Sequence, residues 1–490
     1  MAQRHLDRLS AVDAAFLHQE GTATHMHIGG IARFEGPVPP FGDLLEHVRS
    51  RLHLVPRYRQ KLAVPPAGLG RQRWVDDPSF NLEYHVRHTA LPQPGDDDRL
   101  TVLGARVFSQ RLDRTKPLWE LWVVEGSPQG RWALISKTHH ALVDGVSGVD
   151  LMTMLFDLDP QGREVGEPEP WQPRPEPSTA ELTATSLTGA AARAFTLPVR
   201  ALAGAADPRR SAAVARQVAA GLGEVLKAGA TPAPPTPLNV PIGPHRRLAH
   251  VATRLEDLKL VKDALGGTVN DVVLAVVAGA LRRWLHSRGL RTEGLELQAC
   301  VPVSTRAPGD GGAAGNQITQ IVAPLPVAIA DPVERLAAVR DAMEGIKASK
   351  QALGAEVIAS AQDFAPPTVL AQASRLNFSS RFYNLLVTNI PGPQMPLYVL
   401  GRRMEGMFPI AFLGGDRALA IAAMSYDGSM DFGLIADLDA LTDLDVIAEG
   451  LTQSLAELVD LSRRRARVTA LPRPGSAMRA ARRKPRAGKA

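Results

Sequence analysis

The chain has 490 residues, of which 45% are hydrophobic and 22% are charged. This length and composition predict a folded protein of about two to four domains and exclude a disordered or fibrous chain. The net charge of +6 comes from the C-terminus, because residues 463–490 hold eleven of the 56 basic residues and none of the 50 acidic ones. The rest of the chain has 45 basic and 50 acidic residues, so its charge gives no support for binding nucleic acid.

The single cysteine, Cys300, excludes disulfide bonds within the chain and metal sites of the CxxC type. The first 17 residues are charged and lack the apolar run of a signal peptide. No window reaches the ~18 consecutive apolar residues of a membrane-spanning helix. These features predict a cytoplasmic protein.

Residues 1–160 alternate short strand-like runs with helical stretches and predict an N-terminal α/β domain. Near its end, alternation of polar and apolar residues predicts a strand at 132–137. The pattern Ser-x-x-Asp at 147–150 predicts the start of a helix that continues to residue 158. Residues 139–145 therefore form a loop between a strand and a helix.

The segment 161–245 is rich in proline and then in alanine, and it predicts a connection between two domains. Either it is a free linker, or its alanine-rich parts form helices that pack across both halves, since about 80 residues is long for a loop. Patterns of a folded domain resume over 246–462. The basic segment 463–490 contains interspersed proline and glycine and is expected to be disordered.

In the second domain, hydrophobic periodicity predicts helices at 269–285 and 332–350 and a strand at 295–303. Two further strands, 419–426 and 430–436, flank an Asp-Gly dipeptide, which is typical of a two-residue hairpin turn. The sequence therefore predicts a mixed α/β fold with antiparallel strands. It contains no fixed short repeat, so a solenoid is not expected.

The sequence His139-His140-Ala-Leu-Val-Asp144-Gly145 has the pattern HHxxxDG and supplies the main candidates for chemistry. A histidine at a strand end that faces a cleft can accept a proton near neutral pH, because its free pKa is ~6.5. Asp144 can hold the loop by ion pairing or by accepting backbone N–H groups, and Gly145 permits a positive φ. The alternative is a purely structural loop, but tandem histidines with Asp-Gly at a strand–helix junction favour a function.

Other chemistries find weaker support in the sequence. Zinc would need further ligands, and neither HExxH nor another histidine pair at suitable spacing is present, so no metal is expected. Residues 145–149 break the G-x-S-x-G pattern of serine hydrolases at its last position. Cys300 lies in a predicted strand, as suits a small buried side chain. No Walker motif is present, and the glycine-rich residues 309–314 lead to no obvious helix.

Several motifs, taken in chain order, resemble those of the bacterial wax ester synthase/diacylglycerol acyltransferases, within the wider HxxxD superfamily of CoA-dependent acyltransferases. HHxxxDG alone is shared with peptide-condensation domains, so the distinguishing weight falls on PLWE, the Asn-Asp pair and NIPGP. Thr388 stands where the family more often has serine, and it keeps the hydroxyl group. The resemblance spans about residues 9–437, and its motifs are LSAVDAAFL (9–17), DPSFNLEYHVRH (77–88), PLWE (117–120), HHALVDG (139–145), Asn270-Asp271, Gly315-Asn316 and TNIPGP (388–393).

The resemblance implies two chloramphenicol-acetyltransferase-like α/β domains, each a mixed sheet packed with helices, that form a pseudo-dimer with an active-site tunnel between them. It implies acyl-CoA as the donor and diacylglycerol or a long-chain alcohol as the acceptor, which gives triacylglycerol or wax ester without a cofactor. It also implies that His140 is the general base of a direct transfer with no covalent intermediate. On the same resemblance, His139 shapes the loop or contacts substrate, and Asp144 clamps the loop.

Two other motifs supply candidate substrate-binding residues, each with a structural alternative. Asn270 is a candidate donor to the developing oxyanion, whereas Asp271 can instead complete a helix cap with Thr268. The strand exit at 389–393 can shape the tunnel mouth or be an ordinary turn. The candidates in this exit are Asn389, Pro391 and Gly392. The apolar triplet Pro117, Leu118 and Trp119 can line the tunnel or belong to the core.

The basic segment 463–490 also has two interpretations. It can dock the protein on anionic lipid, where each lysine or arginine near the surface contributes ~1 kcal/mol, or it can be a solubilising extension. Docking would place the enzyme on the inner face of the membrane or on lipid inclusions. Two other functions stay open on the sequence: a condensation-type acyltransferase with another acceptor, and a non-catalytic lipid-surface protein of the same fold.

Overall fold

The computed structural model describes residues 6–66, 70–142, 154–166, 170–186, 232–304, 318–348 and 382–470. The main helices are α1 (Ala11–Gln19), α2 (Phe41–Arg51), α3 (Leu82–His85), α4 (Asp97–Ser109), α5 (Leu255–Leu265), α6 (Val269–Ser287), α7 (Pro332–Ala348) and α8 (Leu444–Ala470). The strands are β1 (Asp7–Arg8), β2 (His27–Phe34), β3 (Gln60–Ala63), β4 (Arg73–Asp76), β5 (Val86–Ala90), β6 (Trp119–Glu125), β7 (Trp132–His139), β8 (Arg246–Arg254), β9 (Leu297–Ser304), β10 (Ile318–Leu325), β11 (Leu385–Pro391), β12 (Tyr398–Val399), β13 (Arg402–Ile410), β14 (Leu419–Tyr426) and β15 (Ser429–Asp437).

Two six-stranded mixed sheets organise the described residues. The first has the order β12-β13-β2-β7-β6-β5 and the second the order β10-β9-β11-β14-β15-β8, while β1, β4 and β3 form a small third sheet. Most neighbours are antiparallel, but β5 runs parallel to β6, and β11 runs parallel to both β9 and β14. The expectation of a mixed α/β fold with helices packed on sheets is confirmed.

Strand β7 lies in the middle of the first sheet, and all eight of its residues are buried. Its even-numbered apolar residues, Trp132 and Leu134, belong to the core that the N-terminal helices cover. Ala133 and Ile135 point the other way, into an apolar core that includes Leu248 and other residues of the second sheet. The alternation in the sequence therefore marks two different apolar surroundings rather than one buried and one solvent-facing side.

The two halves of the chain share the first sheet. Strands β12 and β13 belong to the second half of the chain, yet β13 pairs with β2 of the first half, with Phe408 opposite Ile31. Where β13 crosses β15, Gly433 is required, because a Cβ there would lie 1.7 Å from the carbonyl oxygen of Pro409. The division into contiguous segments 1–160 and 246–462 therefore does not describe the sheets.

Local predictions in the second half agree with the structure. The hairpin of β14 and β15 turns at Asp427 and Gly428, whose φ values of 40° and 86° are those that favour this dipeptide in a two-residue turn. Helix α6 begins and ends within two residues of the prediction. Helix α8 continues to Ala470, so the first eight residues of the segment expected to be disordered are helical instead. The long continuous helix overrides the local charge signal.

Parts of other predictions lie outside the described residues. These include most of the helix expected at 147–158, residues 187–231 of the connecting segment, and residues 471–490 of the basic segment. Among the described residues, no single helix is long and apolar enough to cross a membrane; α5 and α6 meet such a criterion only as a pair, and the pair is bent by 99°.

Candidate active site

The site forms where β7 ends. In the sheet, His139 lies opposite His27 of β2, and its N–H donates to the carbonyl oxygen of Leu118 over 3.0 Å. The N–H of His140 donates to the carbonyl oxygen of Met26 over 2.8 Å. Backbone bonds to both sides thus fix the last strand residue and the first loop residue before the chain turns.

The imidazole of His140 lies between aromatic rings from both halves. It stacks on Phe16 of α1, with ring centroids 3.9 Å apart, and meets the edge of Phe412, which follows β13, at 5.5 Å. The residue is only partly buried, but its Nδ1 is buried and has no hydrogen-bond partner from another described residue. Burial lowers the pKa of His140 to about 4, and contact with its own backbone opposes this only in part. His140 is therefore neutral, and able to accept a proton, at pH 7.

His139 is turned into the protein and is 1% exposed. Its Nδ1 accepts the N–H of Ala141 over 3.0 Å, a bond that spans His140. Its Nε2 lies 3.8 Å from Oε2 of Glu20. Burial lowers the pKa of His139 to about 3, although the charge of Glu20 opposes the shift. This position favours the loop-shaping role over substrate contact.

Glu20 is a site residue that the sequence did not reveal. It caps the C-terminus of α1, and its carboxylate is 1% exposed. Nε of Arg114 donates to Oε2 over 2.6 Å, and Nε2 of His27 lies 3.5 Å from Oε1. Burial alone would raise the pKa of Glu20, but His27, His139 and Arg114 together lower it to about 2. No spacing pattern links these residues, since the pairing of β2 with β7 brings them together.

Asp144 and Gly145 lie outside the described residues. The clamp role of Asp144 and the turn role of Gly145 therefore stay predictions.

Asp271 has the structural role that the sequence allowed. Thr268 Oγ1 accepts the N–H of Asp271 over 3.2 Å, and the carboxylate of Asp271 accepts the N–H of Thr268 over 2.7 Å, which completes a capping box. Asn270 meets another predicted residue, because Nδ2 of Asn389 donates to its Oδ1 over 3.4 Å. Two separate motifs thus converge, but in the described part of the chain no hydrogen bond or ring contact joins this pair to His140.

The triplet Pro117-Leu118-Trp119 is buried, with Leu118 0% and Trp119 1% exposed. Nε1 of Trp119 donates to the carbonyl oxygen of Tyr58 over 2.8 Å, and its ring stacks on His85 at 4.7 Å. The carbonyl oxygen of Leu118 accepts the N–H of His139, so Leu118 supports the site through its backbone. This position favours the core alternative over the tunnel lining.

The strand exit after β11 packs closely on β14. The N–H of Gly392 donates to Oγ of Ser425 over 3.2 Å. A Cβ at Gly392 would lie 2.2 Å from the carbonyl oxygen of Ser425, so only glycine fits. Pro391 pairs with the same serine at the end of the parallel ladder and is exposed. Whether this exit shapes a tunnel mouth stays a prediction.

The geometry of the described residues does not support a thiol nucleophile or a metal site. Cys300 is 2% exposed, and burial raises the pKa of its thiol to about 12, as suits a small buried side chain. Within the described ranges, no group of three or more His, Cys, Asp and Glu side chains is placed to hold a metal ion. The glycine-rich residues 309–314 lie outside those ranges.

Comparison with known proteins decides the family. Residues 9–273 match the model of the wax ester synthase/diacylglycerol acyltransferase catalytic domain, and residues 314–459 match that of the C-terminal domain of the same family. The chain belongs to the wax ester synthase/diacylglycerol acyltransferase family. Two Mycobacterium tuberculosis proteins that carry the name probable diacylglycerol O-acyltransferase are similar to this family member. The one called tgs1 is 32% identical over 94% of this chain and 97% of its own length, and the one called tgs2 is 33% identical over 92% and 99%.

Solved structures agree with this assignment. The wax ester synthase/diacylglycerol acyltransferase from Marinobacter aquaeolei VT8 superposes with a TM-score of 0.64 and 29% identity, over 93% of this chain and 100% of that one. The first condensation domain of the calcium-dependent antibiotic synthetase gives a TM-score of 0.57 at 17% identity, over 94% and 97% of the two chains, and so shares the fold alone. This family member is therefore an acyltransferase by family, with the two-domain architecture that the resemblance implied.

Proposed function

We propose that this protein transfers a long-chain acyl group from acyl-CoA to diacylglycerol, to a long-chain alcohol, or to both. The observation that supports the proposal is the state of His140: a neutral, partly exposed imidazole at the end of β7, where the two halves meet. The family membership supports an acyl transfer, and the names of the mycobacterial relatives favour diacylglycerol as an acceptor. We propose that no cofactor takes part.

In the proposed mechanism, Nε2 of His140 is the basic nitrogen, because Nδ1 is buried. Nε2 accepts the proton of the acceptor hydroxyl while that oxygen attacks the thioester carbonyl carbon. The tetrahedral intermediate then collapses, the C–S bond breaks, and the imidazolium returns the proton to the departing thiolate. The products are the ester and free CoA, and no bond to the enzyme forms. The donor to the intermediate's oxyanion stays open, with Asn270 as the candidate.

The low pKa of His140 has a consequence for the reaction. At pH 7 the imidazole is already the free base, so no part of the enzyme is lost to protonation. It accepts a proton only transiently, in the presence of the developing negative charge on the substrate. The proposed mechanism therefore predicts that activity persists well below pH 6.5 and falls only as the pH approaches about 4.

For location we propose a cytoplasmic protein, because the chain uses a single cysteine. We further propose that the basic C-terminal segment docks on anionic lipid. In support, the first residues of that segment form the end of α8, where the side chains of Arg463, Arg464, Arg465 and Arg467 are exposed. Substrates that are insoluble in water favour such a position for the enzyme.

The test uses the purified full-length protein with labelled palmitoyl-CoA and either hexadecanol or diolein. We expect labelled wax ester or triacylglycerol from at least one acceptor, and a loss of about 10²- to 10⁴-fold in kcat for His140→Ala, the range that general-base catalysis contributes. His139→Ala with intact His140 is the comparison within the motif. No ester from either acceptor, or a fully active His140→Ala variant, would overturn the proposal.

A further inference from the structure

We propose that Glu20 is a positioning residue for acyl transfer, one that fixes the imidazole of His139 and thereby the turn from which His140 projects. The proposal rests on the proposed function, because it concerns the same reaction. It extends the site to a residue outside HHxxxDG, at the end of the first helix.

Two contacts on opposite sides of one ring connect Glu20 with the turn. Oε2 of Glu20 lies 3.8 Å from Nε2 of His139, and Nδ1 of the same ring accepts the N–H of Ala141 over 3.0 Å. A neutral imidazole whose Nδ1 accepts a hydrogen bond carries its proton on Nε2. The carboxylate therefore faces the nitrogen that bears the proton, at a distance too long for a hydrogen bond, so it acts on this N–H through its charge. In this way Glu20 favours the single tautomer that can close the turn around His140.

The same helix end also supports the second histidine. The N–H of Glu20 donates to the carbonyl oxygen of Phe16 over 3.1 Å, and the ring of Phe16 stacks on His140. The loop that follows Glu20 is braced by the other half of the chain, because the guanidinium of Arg246 donates to the carbonyl oxygen of Ala23. The backbone of Glu20 is thus tied to the residue that stacks on His140, while its carboxylate faces His139.

Stability alone does not account for the position of Glu20. A negative charge at a helix C-terminus is disfavoured by the helix dipole, and burying it adds a desolvation cost. Arg114 and Arg111 lie closer to the surface, with side chains 37% and 43% exposed, and could pair with a carboxylate there. A buried ion pair contributes little net stability. The feature that the buried position adds is contact with His139 and His27.

The structure also separates positioning from charge relay. The pKa of His140 is lowered by burial, and Glu20 is not among the groups that shift it. Glu20 acts on His139 instead, where its charge raises the pKa against the effect of burial. If Glu20 works through geometry, its loss lowers kcat and leaves the pH dependence that His140 imposes unchanged. A charge relay would shift that pH dependence.

The first experiment compares Glu20→Gln with a matched control. Asp157→Asn also neutralises a buried carboxylate bound to an arginine, since Arg51 donates to Asp157 over 2.9 Å, but it touches neither His139 nor His140. For Glu20→Gln we expect kcat to fall about 10- to 100-fold, the range for a lost positioning contact. We expect KM for palmitoyl-CoA to stay within about 2-fold, and the acid limb, the fall of activity at low pH, to stay at the same pH. The control keeps kcat within about 2-fold. A shifted acid limb, an unchanged kcat in Glu20→Gln, or an equal loss in the control would overturn the proposal.

A second variant keeps the proposal falsifiable if Glu20→Gln is unstable. In His139→Asn, the amide oxygen can occupy the place of Nδ1 and accept the Ala141 N–H, and no tautomer has to be selected. In that background we expect Glu20→Gln to add less than about 2-fold to the loss in kcat. Losses that multiply would show that the two residues act independently, and would overturn the proposal.

A third measurement does not need activity and so separates this proposal from the proposed function. Nitrogen-15 NMR of histidine-labelled protein reports which ring nitrogen of His139 is protonated. We expect the Nε2–H form in the wild type and a mixture of tautomers in Glu20→Gln. If the wild type makes no ester, the proposed function fails, whereas a Glu20→Gln variant that keeps the pure Nε2–H form refutes the role of Glu20.

Discussion

Phe16 offers a direct test of why His140 has a low pKa. The Phe16 ring lies 3.9 Å from the imidazole and covers one of its faces. Replacing Phe16 with alanine admits water to that face. Because burial is the main cause that lowers the pKa of His140 from 6.5 to about 4, hydration raises this pKa. The base then becomes protonated, and inactive, at a higher pH than in the wild type.

The size of the effect follows from the structure. A full return of the His140 pKa from about 4 to 6.5 would correspond to roughly 3 kcal/mol in the free energy of protonation. Phe412 still meets the ring edge at 5.5 Å and Nδ1 stays buried, so we expect the pKa of His140 to rise only part of the way, by roughly 1. Losing the aromatic ring also costs ~3–5 kcal/mol of stability, so Phe16→Leu serves as a milder variant with the same sign.

The assay is the pH profile of kcat/KM with palmitoyl-CoA and diolein, measured from about pH 3.5 to pH 8. We expect the acid limb to move from about pH 4 to about pH 5 in Phe16→Ala and by less in Phe16→Leu. Phe108→Leu is the control, because Phe108 is 2% exposed in the same core and has no ring contact with His140. An acid limb that stays in place, or that moves equally in the control, would refute the role assigned to burial.

Replacing Gly392 with alanine should lower the thermal midpoint of unfolding, because the added Cβ would lie 2.2 Å from the Ser425 carbonyl oxygen and such overpacking costs ~1–3 kcal/mol. The control Gly345→Ala, in open space on α7, should not lower it. Equal midpoints for the two variants would contradict the argument. Removing residues 463–490, which hold eleven basic side chains, should weaken co-sedimentation with anionic vesicles while activity on dispersed substrate persists, and unchanged sedimentation would reject docking. The free energy of unfolding from denaturant titrations should fall as the pH drops from 7 to 4, and a flat profile would contradict this. The reason is that, in this pH range, histidines of the unfolded chain bind protons whereas the same histidines stay neutral when buried in the folded protein. Each such histidine lowers the free energy of unfolding by up to ~1.4 kcal/mol per pH unit. The histidines concerned, with native pKa values lowered to about 4 or 3, are His27, His85, His139 and His140.

The features that the sequence predicted correctly are those set by neighbours in the chain. The Asp427-Gly428 turn and the Thr268–Asp271 capping box each depend on residues at most three positions apart. Their patterns can therefore be recognised in the sequence without knowledge of the fold. The position of His140 at a strand end was likewise readable, because the alternation of β7 stops just before it. The family resemblance supplied its role as the proposed base.

The features that the sequence could not predict depend on strand pairing. Glu20 and His139 are 119 positions apart, and they meet because β2 pairs with β7 in one register. The free pKa of ~6.5 was the wrong guide for His140, because only the structure places Phe16 and Phe412 against its ring. Patterns within 1–160 also gave no sign that β13 would complete the first sheet.

The placement of β13 next to β2 bears on how the molecule can be cut. A protease that cleaves the chain within 187–231 would leave two fragments, and the second would still contribute an edge pair of strands to the sheet of the first. The fragments should therefore elute together in native chromatography and separate only in denaturant. Neither fragment made alone could complete both β-sheets. The two fragments should therefore be expressed together and allowed to associate, rather than expressed separately as isolated domains.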